Sequence, residues 1–166
     1  LDMQADPNVM DSRSGSCTLL SSSLERAAKR PQDQGSTKTY DHSVERLIRA
    51  GASVNATDKN GRTPIIALIE GVSALTDKAA ADFYEEAERL LELLAEAGAT
   101  LGLAPASQPT PLELAALGGR LPLVQALLRK GAPVNSSSAE GSTPLLGLCT
   151  AILTRSQNHA DTQTPF

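Results

Sequence analysis

Two consecutive stretches, Gln108-Pro-Thr-Pro-Leu-Glu-Leu-Ala-Ala-Leu-Gly-Gly119 and Arg120-Leu-Pro-Leu-Val-Gln-Ala-Leu-Leu-Arg-Lys-Gly-Ala-Pro-Val-Asn135, carry punctuation that predicts a pair of short helices. Thr110 stands before Pro111 and an apolar run. Its hydroxyl can cap free backbone N–H groups, and proline fits the first helical turn. Gly119 breaks the run. A second run then leads to Arg129-Lys130-Gly131, where basic side chains precede a glycine suited to the left-handed helix stop. The expected elements are a first helix from Pro111 to Leu117 and a second from Leu121 to Lys130.

The same punctuation recurs along the chain. Ala50-Gly-Ala-Ser-Val-Asn55, Ala97-Gly-Ala-Thr-Leu101 and Lys130-Gly-Ala-Pro-Val-Asn135 are variants of one segment, and Gln4-Ala-Asp-Pro-Asn8 is a fourth with Gln for Gly. Twelve residues after each of these positions comes a helix-start marker: Ser16-Cys17, Thr63-Pro64, Thr110-Pro111 and Thr143-Pro144. Asp58-Lys-Asn-Gly61, between a stop and a start, is a tight-turn signal. Each unit therefore reads as turn, helix, short connection, helix. A unit repeated with a constant stop-to-start spacing of 12 implies stacked layers that share one core.

The sequence resembles the ankyrin repeat family. The residues that carry the resemblance are Gly61-Arg-Thr-Pro-Ile65, Thr110 to Gly119, Leu121 to Asn135, Gly141-Ser-Thr-Pro-Leu145 and the 33-residue spacing from Thr110 to Thr143. The resemblance implies an all-α solenoid of helix–turn–helix units with short hairpin-like turns, spanning 1–166. Residues 1–11 would be the tail of a preceding repeat, 12–57 a long repeat with a loop insertion, and 58–106 a long repeat with a helical insertion. Residues 107–139 would be a standard repeat and 140–166 a truncated one. One departure is consistent: the His that usually follows Thr-Pro-Leu is replaced by Leu19, Ile66, Glu113 and Leu146.

The glycine-to-glycine intervals are 47, 47 and 33, so two units carry 14 extra residues, which must fall between their two helices. One insertion, 31–39, is polar with Pro and Gly and reads as a loop. The other, 76–86, holds good helix formers after Thr76 and predicts a second helix extended back from Ala97 to about Thr76. Residues 155–164 echo 30–39 at an offset of 125, which implies a third long unit cut off before its second helix, so the array reads as part of a longer one.

Composition agrees with this reading. Leu and Ala contribute 24 residues each against 11 for Val and Ile together, and Phe plus Tyr number four with no Trp. That palette favours helices over sandwiches or barrels, and it lacks the rings of single-strand stacking platforms. A net charge of −4 and a pI near 5.2 provide no general field for nucleic-acid backbones. Cys17 and Cys149 make neither a disulfide framework nor a zinc pattern, and both are expected on first helices as buried thiols. No membrane span, signal peptide, phosphate loop, metal cluster or catalytic triad is evident. The expectation is a non-enzymatic, intracellular protein without cofactor.

The resemblance implies binding to a partner protein through the concave surface of first helices and turn tips, as a scaffold or adaptor. Carried over residue by residue, that surface comprises Arg13, Lys59, Asn60, Arg62, Glu70, Ala106, Ser107, Leu117, Ala139, Glu140 and Thr150. Arg62 and Glu140 are expected as exposed tip charges that decide the partner's sign. The other reading is a substrate-recognition or regulatory segment of a larger enzyme such as a ubiquitin ligase. Asn55 and Asn135 match the glycosylation sequon but occupy turns; the resemblance makes them candidates for intracellular asparaginyl hydroxylation. The acidic run from Asp77 to Glu96 reads as a solvated outer face or an acidic docking surface. Phe83-Tyr84 is a candidate for packing on the next unit or for anchoring a partner. His42 and His159 are expected in plain surface or capping roles.

Overall fold

The computed structural model describes residues 6, 8, 10–11, 17–29, 38–75, 77–102, 108–138 and 141–161. The chain opens with a two-residue antiparallel ladder, β1 (Met10–Asp11) against β2 (Cys17–Thr18). Seven helices follow: α1 (Leu19–Lys29), α2 (Lys38–Arg49), α3 (Pro64–Ser73), α4 (Asp77–Glu96), α5 (Pro111–Leu117), α6 (Leu121–Arg129) and α7 (Pro144–Asp161). The odd-numbered helices pack in a row, α1 on α3, α3 on α5 and α5 on α7. The even-numbered ones form a second row, α2 on α4 and α4 on α6, and α1–α2, α3–α4 and α5–α6 pair within units.

The helix boundaries follow the local chemistry. At the start of α5, Thr110 Oγ1 accepts from the Glu113 N–H at 3.2 Å, and the Glu113 carboxylate accepts from the Thr110 N–H at 3.4 Å. This reciprocal pair satisfies two of the donors that a helix start leaves unpaired. Thr143 repeats half of it, accepting from the Leu146 N–H at 3.4 Å. Thr63 does not: it makes no side-chain cap, and Pro64 alone sets that start. At the stops, Gly51, Gly98 and Gly131 have φ of 88°, 87° and 84°. Each lets its own N–H and that of the following alanine return to the last turn, as Gly131 does to Leu128 O at 3.0 Å and Ala132 to Leu127 O at 2.9 Å.

The insertion at 76–86 behaves as its composition predicts. α3 has 10 residues against 7 in α5, and α4 has 20 against 9 in α6, so added helix takes up the extra length. Phe83, Ala87, Leu90, Leu91 and Leu94 give α4 a buried stripe, and Tyr84 packs partly buried beside it. The Phe83-Tyr84 pair therefore serves packing. In α3 every residue from Pro64 to Ile69 is buried, along with Gly71 and Val72, which makes it the centre of the stack.

Three expectations change. The stretch from Arg155 to Asp161, which echoes the 30–39 segment, is helical rather than loop-like: α7 runs through it, because Pro31 and Gly35 have no counterpart there before Pro165. Lys38 and Thr39 belong to the first turn of α2, while 31–37 fall outside the described residues. Cys149 is exposed rather than buried, and Cys17 lies in β2 rather than on a first helix.

Candidate functional site

Seven residues beyond each of Thr63, Thr110 and Thr143 stand Glu70, Leu117 and Thr150, one register position on the row of first helices. Leu117 and Thr150 meet across a groove of about 290 Å³ between α5 and α7, whose other walls are Gln108, Pro109, Glu113, Ser138, Ser142 and Gly147. Gly147 keeps it open on the helix side, since a Cβ there would stand 3.2 Å from Glu113 Cγ. Glu113, at the position where the resemblance leads one to expect His, is buried with one carboxylate oxygen on the Thr110 N–H. Thr150 is exposed and donates its hydroxyl to Leu146 O at 2.9 Å. The groove is lined by Leu117, Pro109 and Gly147 together with uncharged polar side chains, and Glu113 is the charged residue on its wall. It is suited to a contoured protein or peptide surface and holds no nucleophile–base arrangement.

The turn tips form the rim. Asp58 N–H bonds Arg62 O at 3.0 Å and Gly61 N–H bonds Asp58 O at 2.9 Å; Ser138, Gly141 and Ser142 repeat this pattern at 2.9 Å for both bonds. Arg62 is not the free tip charge that the sequence suggests. Its Nε donates to Asp58 Oδ2 at 2.8 Å and its Nη1 to Glu70 Oε2 at 3.0 Å, leaving the side chain 22% exposed. It braces the tip against α3. Burial pushes the Asp58 carboxyl up, but the Arg62 N–H and guanidinium and the Asn60 N–H outweigh it and hold its pKa below the ordinary value. Lys59 and Asn60 remain exposed on this tip. Arg13, Ala106, Ser107, Ala139 and Glu140 lie outside the described residues.

Asn55 is exposed as a residue, yet its side chain is engaged. Nδ2 donates to Gly98 O at 3.0 Å and Oδ1 accepts from the Thr100 N–H at 2.8 Å, tying one turn to the next. Asn8 makes the same two bonds to Gly51 O at 3.2 Å and the Ser53 N–H at 2.7 Å. Hydroxylation of Asn55 would have to open this clamp first. Asn135 occupies the same place in its unit and is exposed.

On the opposite face, three carboxylates of the acidic run, Glu88, Glu92 and Glu96, are partly exposed and paired with basic side chains at the end of α6. Arg129 pairs with Glu88, and Lys130 with Glu92 and, at 3.8 Å, Glu96. The Lys130 hydrogen bond and charge hold the Glu92 carboxyl below its ordinary pKa. These pairs join α4 to α6 around a cavity of about 210 Å³ lined also by Leu91 and Ala126. His42 is exposed on α2, with Nδ1 4.0 Å from Glu45 Oε2. Among the described residues, no His, Cys, Asp and Glu group could hold a metal ion, and no helix is long and apolar enough to cross a membrane.

The sequence located Leu117 and Thr150 but missed Gln108, Pro109, Glu113, Ser138, Ser142 and Gly147. Pro109 and Ser142 each sit one residue before a helix-start threonine, so the repeat register was the available signal. No curated protein matches the chain. The family model of the ankyrin repeat matches residues 108–136. That segment, with its capped α5 and its glycine-closed α6, is similar to an ankyrin repeat.

Proposed function

We propose that the protein is an intracellular scaffold or adaptor that binds a partner protein through the row formed by Glu70, Leu117 and Thr150, centred on the α5–α7 groove. The observation that carries this reading is the groove itself. Two residues carried over from the family's usual binding surface line one concavity, and the surrounding wall combines polar side chains with Pro109 and Gly147. Such a wall accepts side chains and backbone from a partner at low desolvation cost, and the leucine supplies an apolar contact. Lys59 and Asn60 extend the surface on the Asp58–Gly61 tip. In this reading Arg62 acts through the brace rather than by direct contact.

The test uses the full chain as bait, with each recovered protein then purified and titrated against it. Leu117→Arg and Thr150→Arg should weaken binding at least tenfold, while Glu45→Lys on the second-helix row should leave it within twofold. Equal affinities across all three variants would remove the groove from the binding surface.

A further inference from the structure

A buried carboxylate meets the α5–α7 groove with only one of its oxygens engaged. Glu113 is 4% exposed, and its Oε2 accepts from the Thr110 N–H. Among the described residues Oε1 accepts no hydrogen bond, yet it keeps an opening onto the groove. Gly147 preserves that opening, since a Cβ there would stand 3.4 Å from Oε1. Taking a carboxylate out of water is costly unless it is paired with a cation and hydrogen-bonded. No Lys, Arg or His stands among the described residues that line the groove.

The neighbouring unit shows how carboxylates on this surface are otherwise met. Asp58 on the tip and Glu70 on α3 both receive Arg62, at 2.8 and 3.0 Å. Arg62 stands one residue before a helix-start threonine, and its counterparts at the groove are Pro109 and Ser142, which carry no charge. The cation that the chain supplies to Glu70 has to come to Glu113 from outside. We infer that the groove receives a lysine side chain of the partner protein, an inference that rests on the groove being the binding surface. The ammonium donates to Glu113 Oε1, and the methylene stem lies along Leu117 and Pro109. Lysine suits the site better than arginine. Oε2 is already held by the Thr110 N–H, which leaves a single oxygen for a point charge and no pair for a guanidinium fork. The chain's net charge of −4 has the sign that draws a basic segment in.

The probes are two capped tripeptides, Gly-Lys-Gly and Gly-norleucine-Gly, which share the same carbon stem and differ in the ammonium. Each is titrated into the full chain while the backbone amide resonances of Leu117, Gly147 and Thr150 are followed by NMR. The lysine probe should bind about tenfold more tightly than the norleucine probe, the factor expected of a hydrogen bond to a charged group. Glu113→Gln keeps an oxygen for the Thr110 N–H, so α5 stays capped, and it should bring the two probes to within about twofold of each other. Equal affinities on the wild-type chain, or a preference that survives Glu113→Gln, overturn the inference. Titration of the purified partner separates this result from the groove reading itself. A partner weakened about tenfold by Leu117→Arg and Thr150→Arg, but not by Glu113→Gln, uses the groove without placing a lysine in it, and the inference alone falls. A partner that none of the three variants weakens does not use the groove, and both readings fall.

Discussion

Two junctions between neighbouring layers are built from different chemistry. Where the α1–α2 and α3–α4 layers meet, Asn55 spans the turns with two hydrogen bonds to backbone. Where the α3–α4 and α5–α6 layers meet, Gly102 stands in place of the asparagine and Pro133 in place of the N–H donor, and a Cβ at 102 would lie 2.6 Å from Pro133 Cγ. The amide clamp is missing there on both sides at once. Charged groups span that seam instead: Arg120 Nη2 donates to Ser73 O at 3.2 Å and Leu75 O at 2.7 Å, capping the end of α3, and Arg129 and Lys130 reach the acids of α4. The comparison teaches that similar layers can be joined by a neutral, local device or by a charged, distributed one, with different sensitivities to salt.

The largest effect is expected at Arg120. Arg120→Met leaves the carbonyls of Ser73 and Leu75 without their buried donor, and the variant should lose about 2–3 kcal/mol in urea denaturation. A loss below about 0.5 kcal/mol would show that this cap does not hold the seam. Next comes an attempt to convert one junction into the other. Gly102→Asn should cost about 1–3 kcal/mol through the collision with Pro133. Adding Pro133→Thr restores the N–H and should recover most of that loss, whereas a strictly additive pair would mean that no clamp had formed.

Asn55→Ala removes both bonds at the clamped junction and should cost about 1–2 kcal/mol, nearly unchanged between low and high salt. Lys130→Met at the charged junction should give a smaller loss that disappears in about 1 M NaCl, as expected for screened pairs. Thermal midpoints at two salt concentrations separate the cases. The smallest effect is the pH response of the first tip. The Asp58 pKa is depressed in the fold, so its contribution is present above the unfolded value near 3.8 and fades as pH falls through the lower folded value. Asp58→Asn should remove that part of the acid sensitivity in unfolding curves between about pH 5 and pH 2.

Much of this architecture was readable because its determinants are local. Thr110-Pro111, Gly119 and Gly131 set helix ends within four residues of themselves, and the Ala-rich insertion carries the propensity that makes α4 long. The breaks in that reading are non-local or competitive. Asn55 and its two backbone partners are separated by 43 and 45 residues, and Lys130 and Glu92 by 38, distances over which no periodic signal names a partner. Arg62 looked free because its tip is exposed, yet Asp58 and Glu70 converge on it only after α3 has formed. Leu117 and Thr150, carried over from the resemblance, line the groove because they hold one register position on successive first helices, whereas Ser138 and Gly147 enter it through the close approach of α5 and α7.

The pairing of Gly102 with Pro133 has a consequence for how such layers combine. A turn bearing proline at this position can sit behind a turn without the asparagine side chain but would leave the Oδ1 of an Asn55-like residue without a donor. A turn bearing Asn55 demands a successor with a free N–H, as Thr100 supplies. The layers therefore obey an order. Exchanging the α3–α4 and α5–α6 layers would place Pro133 opposite Asn55 and Gly98 and Thr100 opposite Asn135, so the shuffled stack would lose one clamp bond at the first seam and gain two at the second. Neighbour compatibility is written in two residues per turn, and it makes these units a directional alphabet rather than interchangeable bricks.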